Sequence, residues 1–467
     1  FLPERIIISN FAEKFRHGFF GAEMRINREI IRLSVPAILS NITVPLLGLC
    51  DTAIAGHLGA DSYIGAIAVG SMMINVTFWL FGFLRMGTTG ITAQAFGAND
   101  TAALRTVFSR AVTLGAAIGL LLVLLLYPLR ETLLTLIAPE EPIRGLASSY
   151  YTIVLMSAPA LLATNAVQGW LFGMQTTLIP MIVAIAINVI NIATSLTLVL
   201  VFHTGFIGVA VGTLAANWLG LLLALILARR KADGKLWIPL RDIFGDRDGL
   251  GRFFRVNSDI FFRSAAIMAV SLGITAIGSR LGALTLAVNA VMMQFFNFFS
   301  FFMDGLAFTA EALTGRFAGS RDFPMLRRSR NALLWWSAAM AALFFLIYFF
   351  ASDPIVALIT DSPTVRVDIR NYHLWLSLIP PLTVAAFIFD GFYIGLTATR
   401  AMLVATVISA LIFFGICFIH ADGIALPDNG RLWTAFLVYL ASRGAILAAI
   451  SPRVFSPSYI TASDKTA

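Results

Sequence analysis

The sequence predicts an all-α integral membrane protein with twelve transmembrane helices in two pseudo-symmetric six-helix lobes. Three observations lead there. Of the 467 residues, 58% are hydrophobic and 12% are charged, against roughly 25% charged in ordinary soluble domains. Uncharged runs of about 20 residues, enough to cross a hydrocarbon core of ~30 Å, recur along the whole chain instead of once near its start. Phrases from the first half also return in the second at a nearly constant spacing.

Apolar periodicity, broken by Gly, Pro and charge clusters, predicts spans at 29–57, 62–88, 102–129, 146–174, 178–202 and 206–229. A polar connector follows, and the second set runs 255–280, 285–310, 324–351, 367–397, 400–421 and 431–453. Met24 opens MRINREIIRLSVPAILSN like a natural start, so residues 1–24 read as an N-terminal leader or amphipathic segment. The expected organisation is then a first lobe at 25–229, a cytoplasmic linker at 230–252, a second lobe at 253–453 and a tail at 454–467.

The formal charge of +8 is a matter of topology and not of a nucleic-acid partner. The region around the sixth-to-seventh connector holds Arg229, Arg230, Lys231, Lys235, Arg241, Arg247, Arg252 and Arg255, and the loop after the eighth span holds Arg316, Arg321, Arg327, Arg328 and Arg330. There is no Lys or Arg after the first or fifth span, and only Arg280 after the seventh. Positive-inside bias therefore predicts a multi-pass protein of the cell's inner (plasma) membrane with both termini cytoplasmic.

The repeat is visible in GLCDTAIAGHLGA (48–60) and SLGITAIGSRLGA (271–283), offset by 223. AQAFGAND (93–100) parallels TGRFAGSRD (314–322), and QGWLFGMQTT (168–177) parallels DGFYIGLTAT (390–399), both at 222. Because six is even, both copies enter the membrane in the same sense, as parallel repeats about an axis along the membrane normal. Two such lobes can rock about a central site, which is transporter architecture.

Catalysis has little support, because no Ser, His and Asp spacing, HExxH or GxSxG is present. Cys50 and Cys417 lie in apolar runs and suit neither a disulfide framework nor a thiolate metal site. His17, His57, His203, His373 and His420 have no metal-ligand spacing and read as interfacial or structural. No cofactor or metal is expected.

These phrases resemble the multidrug and toxic compound extrusion (MATE) family and, within it, the DinF-like branch. LSVPAILSNITVPLLGLCDTAIAGHLG, FGFLRMGTTGITAQAFGA, VNSDIFFRS, AVNAVMMQFFNFFSFFMDGLAFTAEALTG and FIFDGFYIGLTATRAM carry the likeness, which covers about residues 25–453. It implies a secondary antiporter that exports organic, often cationic or amphipathic, compounds in exchange for H+ or Na+. The partners implied are small organic substrates and the lipid bilayer, for a monomeric chain.

The polar residues inside the spans can be weighed against that role. A charged aspartate at mid-membrane costs about 2.5–3.5 kcal/mol on insertion scales, yet Asp51 stands in the first span where its repeat partner is Ile274. Facing a cavity, it can take a proton, or hold sodium while ionised if enough oxygens converge; the plainer reading is a helix-end hydrogen bond. In NVINIATS, Asn188, Asn191 and Ser195 fall on one helical face, with Thr213 in the next span. The resemblance makes Asp51 the main cation-coupling carboxylate and gives Asn191 and Thr213 the positions of its partners. Ser195 occupies the place of a second aspartate, which favours H+ over Na+ as coupling ion. Interhelical packing is the plain alternative for Asn188 and Ser195.

Asp390 stands where the first copy has Gln168, and by resemblance an acid there belongs to the cation or substrate site in part of the family; a buried helix anchor is the alternative. Asp304 and Glu311 share a face of the eighth span, and Arg85 can approach either as a gating or structural ion pair, or else contact substrate. Asp259 and Arg263, four apart, most simply pair with each other. Phe299 and Met303, within QFFNFFSFFMDG, suit flat lipophilic cations, although lipid-facing positions explain at least half of that aromatic run. Pro36 and Pro45 interrupt the first span as candidate hinges or as static kinks. A second job for the same architecture is a flippase for lipid-linked substrates. That job calls for a strongly basic cavity, and Arg85 and Arg263 are the only obvious deep cations.

Overall fold

The computed structural model describes residues 3–58, 61–137, 139–232, 234, 236–418 and 428–465; Gly59, Ala60, Lys235 and His420 lie outside them. Helix α1 (Pro3–Gly56) carries Pro36 and Pro45 in its interior. Helix α2 (Asp61–Trp79) passes through a 3-10 turn, Leu80–Gly82, into α3 (Phe83–Gly97), and together they make one crossing. Helix α4 (Thr101–Ile137) follows. Helices α5 (Ile143–Leu155) and α6 (Ala158–Gly173) meet at a 47° bend. Helix α7 (Leu178–Leu196) ends in a π turn, Thr197–Val201, before α8 (Phe206–Lys231).

After the short connector helix α9 (Leu240–Gly245) come α10 (Arg247–Arg280), α11 (Ala283–Gly319) and α12 (Phe323–Ile359). Helix α13 (Pro363–Asp368) and a 3-10 turn lead into α14 (His373–Gly395), then α15 (Thr399–Phe418), α16 (Asp428–Val454) and α17 (Pro457–Lys465). Among the described residues, eleven helical stretches are long and apolar enough to cross a bilayer, twelve when the bent α5–α6 pair is taken as one span. Helix α11 runs past the expected end at 310, to 37 residues, whereas α12 leaves helical geometry at Ala351 (φ −124°, ψ 18°), the end expected for its span, and continues beyond that kink to Ile359. At 1.5 Å per residue 37 residues make about 55 Å, more than the ~30 Å of a hydrocarbon core, so α11 reaches beyond it with a last turn that carries Arg316.

Four turns bear the repeat in their backbone. Asn99, Gln175, Arg321 and Thr397 have left-handed φ of 56°, 58°, 56° and 53°, closing α3, α6, α11 and α14 respectively. Asn99 and Arg321, like Gln175 and Thr397, stand 222 positions apart. The next residues, Asp100 and Asp322, each accept a backbone N–H three positions on and so cap α4 and α12 alike. In the returning Leu-Gly-Ala phrase, Gly282 adopts φ 114° before α11, a conformation that a side chain would strain.

The outer surface is apolar, with Leu124, Trp335, Phe350 and Leu358 exposed and suited to lipid. The connector is docked and not loose. Buried Arg110 on α4 donates to the Ile243 carbonyl at 3.0 and 3.2 Å, and Ser109 Oγ donates to Leu236 O at 3.2 Å.

Close helix contact gathers at the end of the bundle next to that connector. A Cβ on Gly97 would fall 1.9 Å from Arg316 O, one on Gly319 2.0 Å from Gln94 O, and one on Gly90 2.2 Å from Ile394 O. Small residues therefore let α3 of the first half touch α11 and α14 of the second. Polar contacts add to this closure: Gln94 Nε2 donates to Gly395 O at 2.9 Å, Gln175 Nε2 to Ala312 O at 2.7 Å, and Arg316 pairs with Glu29 at 2.6 Å.

Candidate functional site

Among the described residues, two clusters built around buried carboxylates lie inside the membrane-spanning helices. In the first, Asp51 near the end of α1 is 3% exposed. Thr213 Oγ1 on α8 donates to its Oδ2 at 3.0 Å and accepts from Asn191 Nδ2 on α7 at 2.9 Å. Tyr150 OH on α5 also donates to Oδ2, at 3.5 Å. Every partner is a neutral donor. Asp51 Oδ1, Asn191 Oδ1 and Ser195 Oγ are buried and have no hydrogen-bond partner among the described residues.

Two expected members of this cluster are engaged differently. Asn188 Nδ2 donates to the Thr43 carbonyl at 2.9 Å, beside the Pro45 interruption and away from Asp51. Ser195 packs on α8, where a Cβ on Gly212 would fall 2.0 Å from its Oγ. At Pro36, the missing N–H frees the carbonyl of Arg32, and Thr177 Oγ1 donates to that oxygen at 3.5 Å.

The second cluster lies where α3 meets the second half. Arg85, 9% exposed, makes a two-pronged ion pair with Glu311 at 3.2 and 3.4 Å, and its guanidinium stacks over Phe308 with Cζ 3.7 Å from the ring centre. Of the two acids offered to Arg85 on α11, it takes Glu311. The expected pairing of Asp259 with Arg263 does not form. Arg263 turns instead to Asp390 on α14, which also binds Arg443 on α16 at 3.2 Å. Asp259 accepts Thr399 Oγ1 at 3.0 Å and Arg400 at 3.4 Å. Facing helices win here because Asp259 lies at a helix junction with its own donors, Thr399 and Arg400, which leaves Arg263 to balance the buried charge of Asp390 together with Arg443.

Asp390 is thus held between two guanidinium groups, and its Oδ1 has no partner among the described residues. Asp304 is half-buried on α11, within electrostatic reach of Arg85, Glu311, Arg263 and Asp390. Phe299 and Met303 are corrected from cleft to core. Both are fully buried, and Phe299 meets Phe344 and Phe387 edge-on. They turn about 140° and 100° around α11 from Asp304, because each residue rotates a helix by about 100°.

Sequence reasoning missed three residues of these clusters. Arg443, 3% exposed in YLASRGAIL, carried the usual sign of an intramembrane charge and shows that Arg85 and Arg263 are not the only deep cations. Tyr150 reads as an interfacial aromatic in SSYY, and Ser71, whose Oγ donates to it at 3.5 Å, carries no signal of its own.

The MatE family model matches residues 36–197 and again 260–419. The chain is also 34% identical over 432 residues to DNA damage-inducible protein F of Escherichia coli K12, covering 91% of this chain and 92% of that one. This chain belongs to the MatE family. A more distant relative, the probable multidrug resistance protein NorM of Acinetobacter baylyi, is 23% identical over 376 residues, 75% of this chain and 79% of that one. The same fold is seen in the Vibrio cholerae MATE transporter VcmN in the bent form, with a TM-score of 0.84 at 16% identity over 94% of this chain and 99% of that one. As a MatE protein the molecule is a multi-pass membrane transporter and not an enzyme. Asp51 and Asn191 fall in the first matched stretch and Asp304, Glu311 and Asp390 in the second, while Thr213 and Arg443 lie outside both.

Proposed function

We propose that this MatE protein is a secondary antiporter that exports small organic, often cationic or amphipathic, compounds in exchange for protons, with Asp51 as the coupling carboxylate. The observation that carries this reading is the pairing of Asp51. It is 3% exposed and its partners Thr213 and Tyr150 are neutral, whereas Glu311 and Asp390 each hold guanidinium groups. A buried carboxylate with no cationic partner is costly until it holds a positive ion. Ion occupancy therefore changes how α1 packs against α5, α7 and α8, the helices that supply the other polar groups.

The contacts between the halves support alternating access. They gather at the connector end, where the Arg-rich segments argue for cytoplasm, and a site closed there opens to the opposite side. On this reading both termini are cytoplasmic, the chain works as a monomer in the lipid bilayer, and it needs no cofactor. Pro36 and Pro45 serve as hinges of α1. Sodium coupling is the second reading, favoured by the three buried oxygens of Asp51, Asn191 and Ser195 that have no partner among the described residues. A lipid-linked flippase is disfavoured because each of the three central arginines is matched by an acid.

Reconstituted protein separates these readings. Efflux of a fluorescent organic cation from proteoliposomes is measured under imposed pH and sodium gradients. Proton coupling requires drive by the pH gradient alone, and sodium drive alone transfers the role to Na+. Asp51→Asn should abolish gradient-driven efflux while expression and thermal stability persist; undiminished efflux by that variant rejects the assignment.

A further inference from the structure

We propose that Asp304, and not Asp390, is the carboxylate that receives the positive charge of a transported organic cation; this rests on the export reading above. Three acids and three arginines meet at the centre of the molecule: Asp304, Glu311, Asp390, Arg85, Arg263 and Arg443. Their direct pairs are unevenly shared. Arg85 is used by Glu311, and Asp390 takes both Arg263 and Arg443. No hydrogen bond or ion pair reaches Asp304 among the described residues, although the charges of Arg85 and Arg263 lie within reach. An organic cation approaching Asp390 meets a carboxylate already enclosed by two guanidinium groups and 6% exposed. At Asp304 it meets an acid that has no direct partner among the described residues and is more exposed than Asp390.

The surroundings of Asp304 fit a lipophilic aromatic cation. Three and four positions away on the same face of α11 stand Phe301 and Phe308. The neighbouring rows of that helix meet the first half, because Asn41 Nδ2 donates to Phe301 O at 3.3 Å and Ser34 hydrogen-bonds Thr309 at 2.8 Å. Asp304 therefore sits at the seam between the halves, the place that alternating access exposes to each side in turn. Arg85 already stacks over Phe308, which shows that this ring can lie against a planar cation. The same arrangement makes Asp390 a positioning residue that holds Arg263 and Arg443 together across α10, α14 and α16.

The test uses the full chain, purified in detergent, with tetraphenylphosphonium as the permanent cation and triphenylphosphine oxide as an uncharged aromatic of similar shape. Asp304→Asn should weaken tetraphenylphosphonium binding tenfold or more and leave triphenylphosphine oxide binding within threefold, while Asp304→Glu restores the cation. Equal weakening of both probes assigns Asp304 a structural role and overturns the proposal, as does unchanged cation affinity. If Asp304→Asn does not fold, Asp304→Ser carries the same comparison. Failure of the underlying export reading looks different: the wild-type chain then shows no gradient-driven efflux of tetraphenylphosphonium, whatever Asp304→Asn does to binding.

Discussion

Gly97→Ala probes whether the contact at the connector end sets the conformational equilibrium. The added Cβ would lie 1.9 Å from the Arg316 carbonyl oxygen, where optimal non-bonded contact is about 3.5 Å. Helices α3 and α11 must then separate locally by about 1.6 Å. The obstacle is backbone, and no flexible side chain can rotate away. Overpacking of this kind costs about 1–3 kcal/mol. If transport parts these helices, the cost falls on the closed arrangement alone and shifts its ratio to the open one by about 5- to 150-fold. The assay is a spin-label distance across the seam, with labels at the exposed positions Ala102 and Ser320. The Gly97→Ala distribution should gain a longer-distance population. Gly145→Ala serves as control, since a Cβ there meets nothing within 4 Å and should stabilise α5 by roughly 0.5–1 kcal/mol without moving the distance. A folded Gly97→Ala protein with the wild-type distribution refutes the claim that this contact controls opening.

Asp390→Asn leaves Arg263 and Arg443 facing each other without the carboxylate they share, so thermal unfolding should report a loss of about 3–5 kcal/mol, and adding Arg443→Met should recover part of it. Ser195→Asp puts a second carboxylate into the Asp51 cluster, and uptake driven by a sodium gradient should rise relative to uptake driven by a pH gradient; an unchanged ratio argues that position 195 does not tune the ion. Arg110→Met removes two hydrogen bonds to the Ile243 carbonyl, and bonds from a charged donor are worth about 1.5–3 kcal/mol each. Trypsin should then cut the connector at Arg241 or Arg247 at least about tenfold faster, and cleavage at the wild-type rate would mean that Arg110 does not hold it.

Sequence alone determined the membrane class, the twelve crossings and the internal duplication. Hydropathy and a spacing of 222 are properties of chain order, and the bilayer leaves few ways to satisfy a long apolar segment. Asp51 was legible as an isolated acid in an apolar run and Asn191 as part of a polar face at helical spacing, both linear signals, whereas their grouping with Thr213 as one site was implied by the family resemblance. Which acid pairs with which arginine was not legible. Asp259 and Arg263 stand one helical turn apart, yet Arg263 reaches α14, and Arg443 comes from α16 to the same carboxylate. Likewise Phe299 and Met303 belong to an aromatic run whose composition does not say which rings face the seam. Pairing inside a bundle depends on which helix faces lie opposite one another, and that juxtaposition exists only once the helices have packed.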